Sequence, residues 1–118
     1  MGYLQKEDKS NPEFYVNYSL KKLIQEKDFG KYGENGSLKT CFVSNTDITG
    51  GNSGSPVLNA KGELIGLAYD GNWESMAGDL YFHPDFNKTV CVDIRFVLWV
   101  IDKYAGASYL IDEMKLVE

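Results

Sequence analysis

Histidine is nearly absent from this sequence: His83 is the only one in 118 residues. Any proton transfer that needs an imidazole has a single candidate in the chain. Basic residues are also scarce, 12 Lys and Arg against 17 Asp and Glu, for a net charge of −5. That balance argues against binding the backbone of a nucleic acid, which needs clustered Lys and Arg. Long apolar runs are missing too, and none approaches the ~20 residues of a bilayer span. Met1-Gly2-Tyr3 leads straight into polar residues, so no signal peptide is visible. The expectation is a cytosolic protein or a chain whose true N-terminus lies upstream. Cysteine is limited to Cys41 and Cys91, in the β-prone contexts KTCFVS and KTVCVDI. Two distant thiols have no metal-ligand spacing, and no acidic pairs stand at metal-binding intervals, so neither metal nor cofactor is expected. Three readings stay open for the cysteines: free buried thiols that act as small hydrophobes, a disulfide, or reactive thiols.

What the chain does have is enough apolar material for a core. Hydrophobic residues make up 43% and aromatics 14%, which fits one folded unit and not a disordered segment. Pro12 should end any early helix. YSLKKLIQEK, from Tyr18 to Lys27, puts Leu20, Leu23 and Ile24 on one face, predicting a short amphipathic helix whose charges face water. DFGKYGENGSL follows as a glycine-rich loop. KTCFVSN reads as a strand. PVLNAKGELIGLAYD reads as a hairpin turning at Ala60-Lys61-Gly62. NWESMAGDLYFHPDFNK, with Gly78 and Pro84, reads as a longer loop. TVCVDIRFVLWVIDKYAG should begin as a strand and become a helix, packed through Val97, Trp99, Val100, Ile101 and Tyr104 and closed by Gly106. SYLIDEMKLVE, apolar at Leu110, Ile111, Met114 and Val117, suits a final helical turn. The fold class expected is mainly β with flanking helices, α+β by content. Residues 1–38 form a helix-and-loop lead-in, 39–95 a β-meander, and 96–118 a helical segment.

The most specific stretch is TGGNSGSPV, Thr49 to Val57. Acyl transfer to serine needs an exposed hydroxyl, a base to take its proton, and N–H donors for the developing oxyanion. Glycines around a serine let the backbone turn its amides inward. Ser53 is thus a candidate nucleophile, with the amides of Gly51 and Ser53 as candidate oxyanion donors. A Ser-Gly pair alone is common; the run Gly-Asn-Ser-Gly-Ser-Pro leading into a strand is far more specific. AYDGNW, downstream, offers a carboxylate at Asp70. Read alone, Asp70-Gly71 is also a favoured turn pair.

GNSGSPV resembles the nucleophile loop of chymotrypsin-like serine peptidases, usually Gly-Asp-Ser-Gly-Gly-Pro; Asn52 and Ser55 depart from it as in some bacterial members. The run from Thr49 to Phe82, then VDIRFVLWVIDKYAGASYLIDEMKL, with NPEF and KDFGKYG upstream, is similar to the C-terminal end of peptidase family S46, the dipeptidyl-peptidase 7/11 family. The resemblance implies the C-terminal part of a double β-barrel plus a C-terminal helix, in a much longer secreted, cell-surface or periplasmic enzyme. It implies a peptide substrate, with dipeptides released from free N-termini. Ser53 would be the nucleophile, and Asp70 would hold the substrate's amino group. The catalytic His and Asp would lie in the first half of the parent, before a large helical insertion. At the position of Gly71 the acid-specific branch carries Arg. Glycine there implies an open, apolar pocket and a hydrophobic penultimate residue, as in the dipeptidyl-peptidase 7 branch.

The fragment's partners would be the missing barrel and helical domain of its own chain. Without them it should be inactive, and its cut strand edges should favour self-association, a homodimer included, or rearranged strands at the cut edge. His83, in a polar loop before Pro84, is expected to be an ordinary loop residue. Trp73 and Met76 are open between pocket wall and core. Trp99 is read as core, and Asp93 with Arg95 as a strand-edge ion pair. Asp47 and Asp79 have no assigned role. Two rivals remain: an endopeptidase like the glutamyl endopeptidases, supported by GNSGSP alone, and a binding module that kept the fold but lost the triad.

Overall fold

A computed structural model describes residues 2–77, 81, 83 and 85–117. Gly78, Asp79, Pro84 and the side chain of Met76 lie outside the described residues. Among the described residues four strands form one antiparallel sheet: β1 (Cys41–Ser44), β2 (Pro56–Leu58), β3 (Leu64–Gly71) and β4 (Thr89–Asp93). Their order in the sheet is β1-β4-β3-β2. β2, β3 and β4 make the expected meander, but β1 does not precede β2 in space. It lies against β4 at the opposite edge, so the serine loop carries the chain from one edge of the sheet to the other.

Directly paired residues share a face. Cys91 pairs with Phe42 and Ala68, and Asp93 with Gly66. On this inner face Ala68, Cys91, Thr89 and Asp93 are buried. Val92 pairs with Cys41 and Leu67 on the other face, which stays partly open and leaves Val43 62% exposed. The two cysteines are both free, Cys41 exposed and Cys91 buried. The disulfide reading is corrected by this register: Cys41 pairs one residue away from Cys91, so the thiols point to opposite faces. Burial of Cys41 is corrected as well.

The hairpin closes where the sequence puts it. Gly62, at φ +78°, donates its N–H to the Asn59 carbonyl at 2.9 Å. Between Ala68 and Asp70 the β3–β4 register shifts, leaving Tyr69 as a bulge residue.

The α-helices among the described residues are α1 (Gly2–Gln5), α2 (Tyr18–Gln25), α3 (Ile94–Trp99) and α4 (Ser108–Asp112), and α3 packs against β3 and β4. Asn17 caps α2 by accepting the Ser19 N–H at 2.9 Å. Its face Leu20, Leu23, Ile24 packs on a core built from Tyr32, Leu98, Trp99 and Ile111. Trp99 is fully buried and donates its indole N–H to the Asp28 carbonyl at 2.8 Å. Burying about 200 Å² of indole contributes on the order of 5 kcal/mol before ordering entropy. After α3 the chain widens into a π-turn, Val100–Tyr104, closed by the Ala105 N–H on the Val100 carbonyl at 2.8 Å. Gly106, at φ +65°, then ends the helix. Among the described residues of the last segment only Ile111 is buried; Leu110, Met114 and Val117 are exposed, because α4 stops after one turn and a half.

Asp93 and Arg95 form an ion pair at a junction, not at a strand edge. Asp93 ends β4 and caps α3 through the Arg95 N–H at 2.9 Å, and Arg95 grips both its oxygens at 2.9 and 2.7 Å. Burial alone would raise the Asp93 carboxyl; the Arg95 hydrogen bonds outweigh it and hold the group below its usual range.

Candidate functional site

The serine loop is held at both ends by hydrogen bonds. Asn52 accepts the Thr49 N–H on its side-chain oxygen at 2.7 Å and returns its own N–H to the Thr49 carbonyl at 3.2 Å. Gly54 then donates to the Ala68 carbonyl at 2.7 Å, and Ala68 to the Ser55 carbonyl at 2.9 Å. These two bonds extend the β2–β3 pairing to Gly54, next to Ser53. Gly51 at φ +94° and Gly54 at φ +86° take conformations that side chains disfavour. The approach is fixed from the other side: buried Thr89 donates its hydroxyl to the Thr46 carbonyl at 2.7 Å.

Ser53 is left exposed, with its hydroxyl 3.4 Å from the Tyr69 carbonyl. The bulge turns that carbonyl toward the serine loop. Among the described residues, neither the Gly51 nor the Ser53 amide donates to a protein acceptor. Asp70 and Gly71 are strand residues that pair with Val90 and Thr89, so the turn reading of Asp70-Gly71 is corrected. The Asp70 carboxylate accepts the Gly71 N–H at 2.8 Å and stays exposed.

A cleft of about 280 Å³ runs between the loop and this end of β3. Gly51, Ser53, Tyr69, Asp70 and Gly71 all line it. Asp70 is the one charged residue among the lining residues described. A larger cavity, about 450 Å³, lies between α1, α2 and α3, lined by Tyr3, Ile24, Phe29 and Phe96. Its described lining includes Ser37 and Thr40 but no carboxylate, so the smaller cleft, which joins a serine to a carboxylate, is the chemical candidate.

Trp73 is not brought to this cleft. It opens the 3-10 turn Trp73–Ala77 and is 81% exposed, so core packing does not describe it in this chain. His83 is also elsewhere. Its ring lies 4.6 Å from that of Phe86, and Nδ1 has no partner among the described residues. Among the described residues no three of His, Cys, Asp and Glu gather as metal ligands, and no helix is long and apolar enough to cross a membrane.

Sequence reasoning missed Asn72 and Ser75, which also line the cleft. Asn72 donates to the Phe86 carbonyl at 2.7 Å and accepts the Lys88 N–H at 2.8 Å. A short polar residue after a strand gives no sign in sequence of such a distant partner.

The family model described as Peptidase S46 matches residues 1–116. A protein of Phocaeicola vulgatus named dipeptidyl-peptidase 7 is 55% identical over 118 residues, covering 99% of this chain and 16% of its own length. A Porphyromonas gingivalis protein named Asp/Glu-specific dipeptidyl-peptidase is 50% identical, over 98% of this chain and 16% of its own length. The crystal structure of Porphyromonas endodontalis DPP11 with the dipeptide Arg-Glu superimposes with a TM-score of 0.90 at 47% identity, covering 95% of this chain and 16% of that one. The chain thus spans about one sixth of the length of these relatives. With its sheet, helices and serine loop all inside the matched range, the chain belongs to the peptidase S46 family.

Proposed function

We propose that the parent of this chain is a serine dipeptidyl-peptidase that releases dipeptides from free N-termini, and that these residues form the nucleophile side of its active site. The observation that carries this reading is one cleft lined by both Ser53 and Asp70. Ser53 attacks the carbonyl after the second residue, and the amides of Gly51 and Ser53 take the oxyanion. The bond to the leaving amine breaks, a dipeptidyl ester forms on Ser53, and water releases the dipeptide. Asp70 pairs with the substrate's ammonium, which fixes the cut two residues from the terminus. The relatives' names support a dipeptidyl-peptidase.

The preferred second residue is hydrophobic. No basic side chain stands among the described lining residues, and Asp70 would repel a second carboxylate. His83 does not line the cleft, so the base comes from elsewhere in the parent: a serine hydroxyl without one is a poor nucleophile at neutral pH. We assign the His and Asp to a second barrel that completes the fold with this sheet, and the isolated chain is inactive.

The test uses the full-length parent and its Ser53→Ala variant, on a fluorogenic dipeptidyl substrate with Leu second, free or acetylated at its N-terminus. Cleavage of the free form alone, lost in the variant, supports the reading. Equal cleavage of both forms indicates an endopeptidase. Cleavage of neither, across several side chains, indicates a binding module.

A further inference from the structure

Gly71 has no side chain, so the cleft wall behind it is made by something else. A Cβ built on Gly71 would lie 3.2 Å from the Ser75 Cβ and 3.7 Å from its Oγ. Ser75 therefore stands directly behind the glycine, and it lines the same cleft as Ser53. Its position is tightly fixed. Its N–H donates to the Asn72 carbonyl at 3.0 Å. Its hydroxyl lies against the Asn72 side-chain oxygen and 3.3 Å from the Lys88 carbonyl, and accepts the Lys88 N–H at 3.1 Å. Asn72 is itself anchored, by its N–H to the Lys88 carbonyl at 2.9 Å and its amide to the Phe86 carbonyl at 2.7 Å.

We propose that Ser75 is a specificity-determining residue: held behind Gly71 by Asn72 and the Lys88 backbone, it sets how large a second side chain the cleft accepts. The hydroxyl proton has two acceptors beside it and the oxygen already accepts an N–H. The wall thus offers its bulk to a substrate, with little hydrogen bonding left to give. The anchors prevent Ser75 from retreating before a larger group, so size is discriminated here. This rests on the reading that the cleft beside Ser53 holds the substrate's second side chain.

The experiment compares the full-length parent with Ser75→Gly and Ser75→Thr. kcat/KM is measured on free-N-terminal substrates with Ala, Leu, Phe or Glu second, and Ser53 is titrated with a serine-reactive fluorophosphonate. Ser75→Gly is expected to raise the Phe:Leu ratio, and Ser75→Thr to lower the Leu:Ala ratio, each by about ten-fold, the scale of one methyl group in an apolar pocket. Ratios unmoved within about two-fold, with Ser53 still labelled, overturn the proposal and leave Ser75 a packing residue. It is equally overturned if neither variant labels, since Ser75 is then required for the loop's fold. The functional reading fails separately: the wild-type parent would cleave none of these substrates. A wild-type preference for Glu would refute the hydrophobic preference while the variant ratios still judge Ser75.

Discussion

The Ser53 hydroxyl lies 3.4 Å from the carbonyl of Tyr69, a residue 16 positions on that a bulge leaves out of register. Without the bulge, alternation along β3 would continue past Ala68 and put Asp70 on the inner face. The extra residue places Asp70 on the face of Val90, beside the serine.

Removing the hydroxyl tests the nucleophile. In the full-length parent, Ser53→Ala should lower kcat by roughly 10⁴- to 10⁶-fold, with fluorophosphonate labelling lost. The isolated 118-residue chain should give no serine-dependent turnover. Turnover by it would mean that the base lies within these residues.

Asp70→Asn tests capture of the amino group. For substrates with a free N-terminus, kcat/KM should fall by about ten-fold or more, carried mainly by KM. The ratio of free to acetylated substrate cleavage should fall with it. A ratio that stays put would remove the amine-binding role from Asp70.

Gly66 shows how tightly the sheet packs on its inner face. A Cβ there would lie 2.4 Å from the Val92 carbonyl oxygen and 2.7 Å from the Phe42 ring. Gly66→Ala must shift a backbone atom of the central pair β3–β4, at a cost of about 1–3 kcal/mol. A midpoint in chemical denaturation equal to wild type would show that the strands can part freely.

Tyr32 links the loop before β1 to the π-turn through its hydroxyl, 2.9 Å from the Asp102 carboxylate. Burial, and then the bond to Asp102, push this hydroxyl up to about 12. An unfolded tyrosine ionises near about 10. The folded chain holds the proton more tightly, so this contribution is full below about pH 10 and is lost as pH rises through about 12. Denaturation midpoints across that window should fall more steeply for wild type than for Tyr32→Phe. Parallel curves would mean the hydroxyl is not shielded.

The sequence by itself determined the local elements and the chemical candidates. The amphipathic face of α2, the turn at Gly62, the end of the helix at Gly106 and the burial of Trp99 follow from periodicity and backbone preference, which act over a few neighbours. Gly-Asn-Ser-Gly-Ser-Pro marked Ser53, because few other uses need that many flexible residues around one hydroxyl. Tertiary structure alone decided the long-range pairings: β1 against β4, the thiols on opposite faces, the bulge at Tyr69, and Asn72 with Ser75 behind Gly71. Each depends on strand register or on a partner more than ten residues away. A single shift of register moves a side chain to the other face, and no local pattern encodes which shift the packed sheet selects.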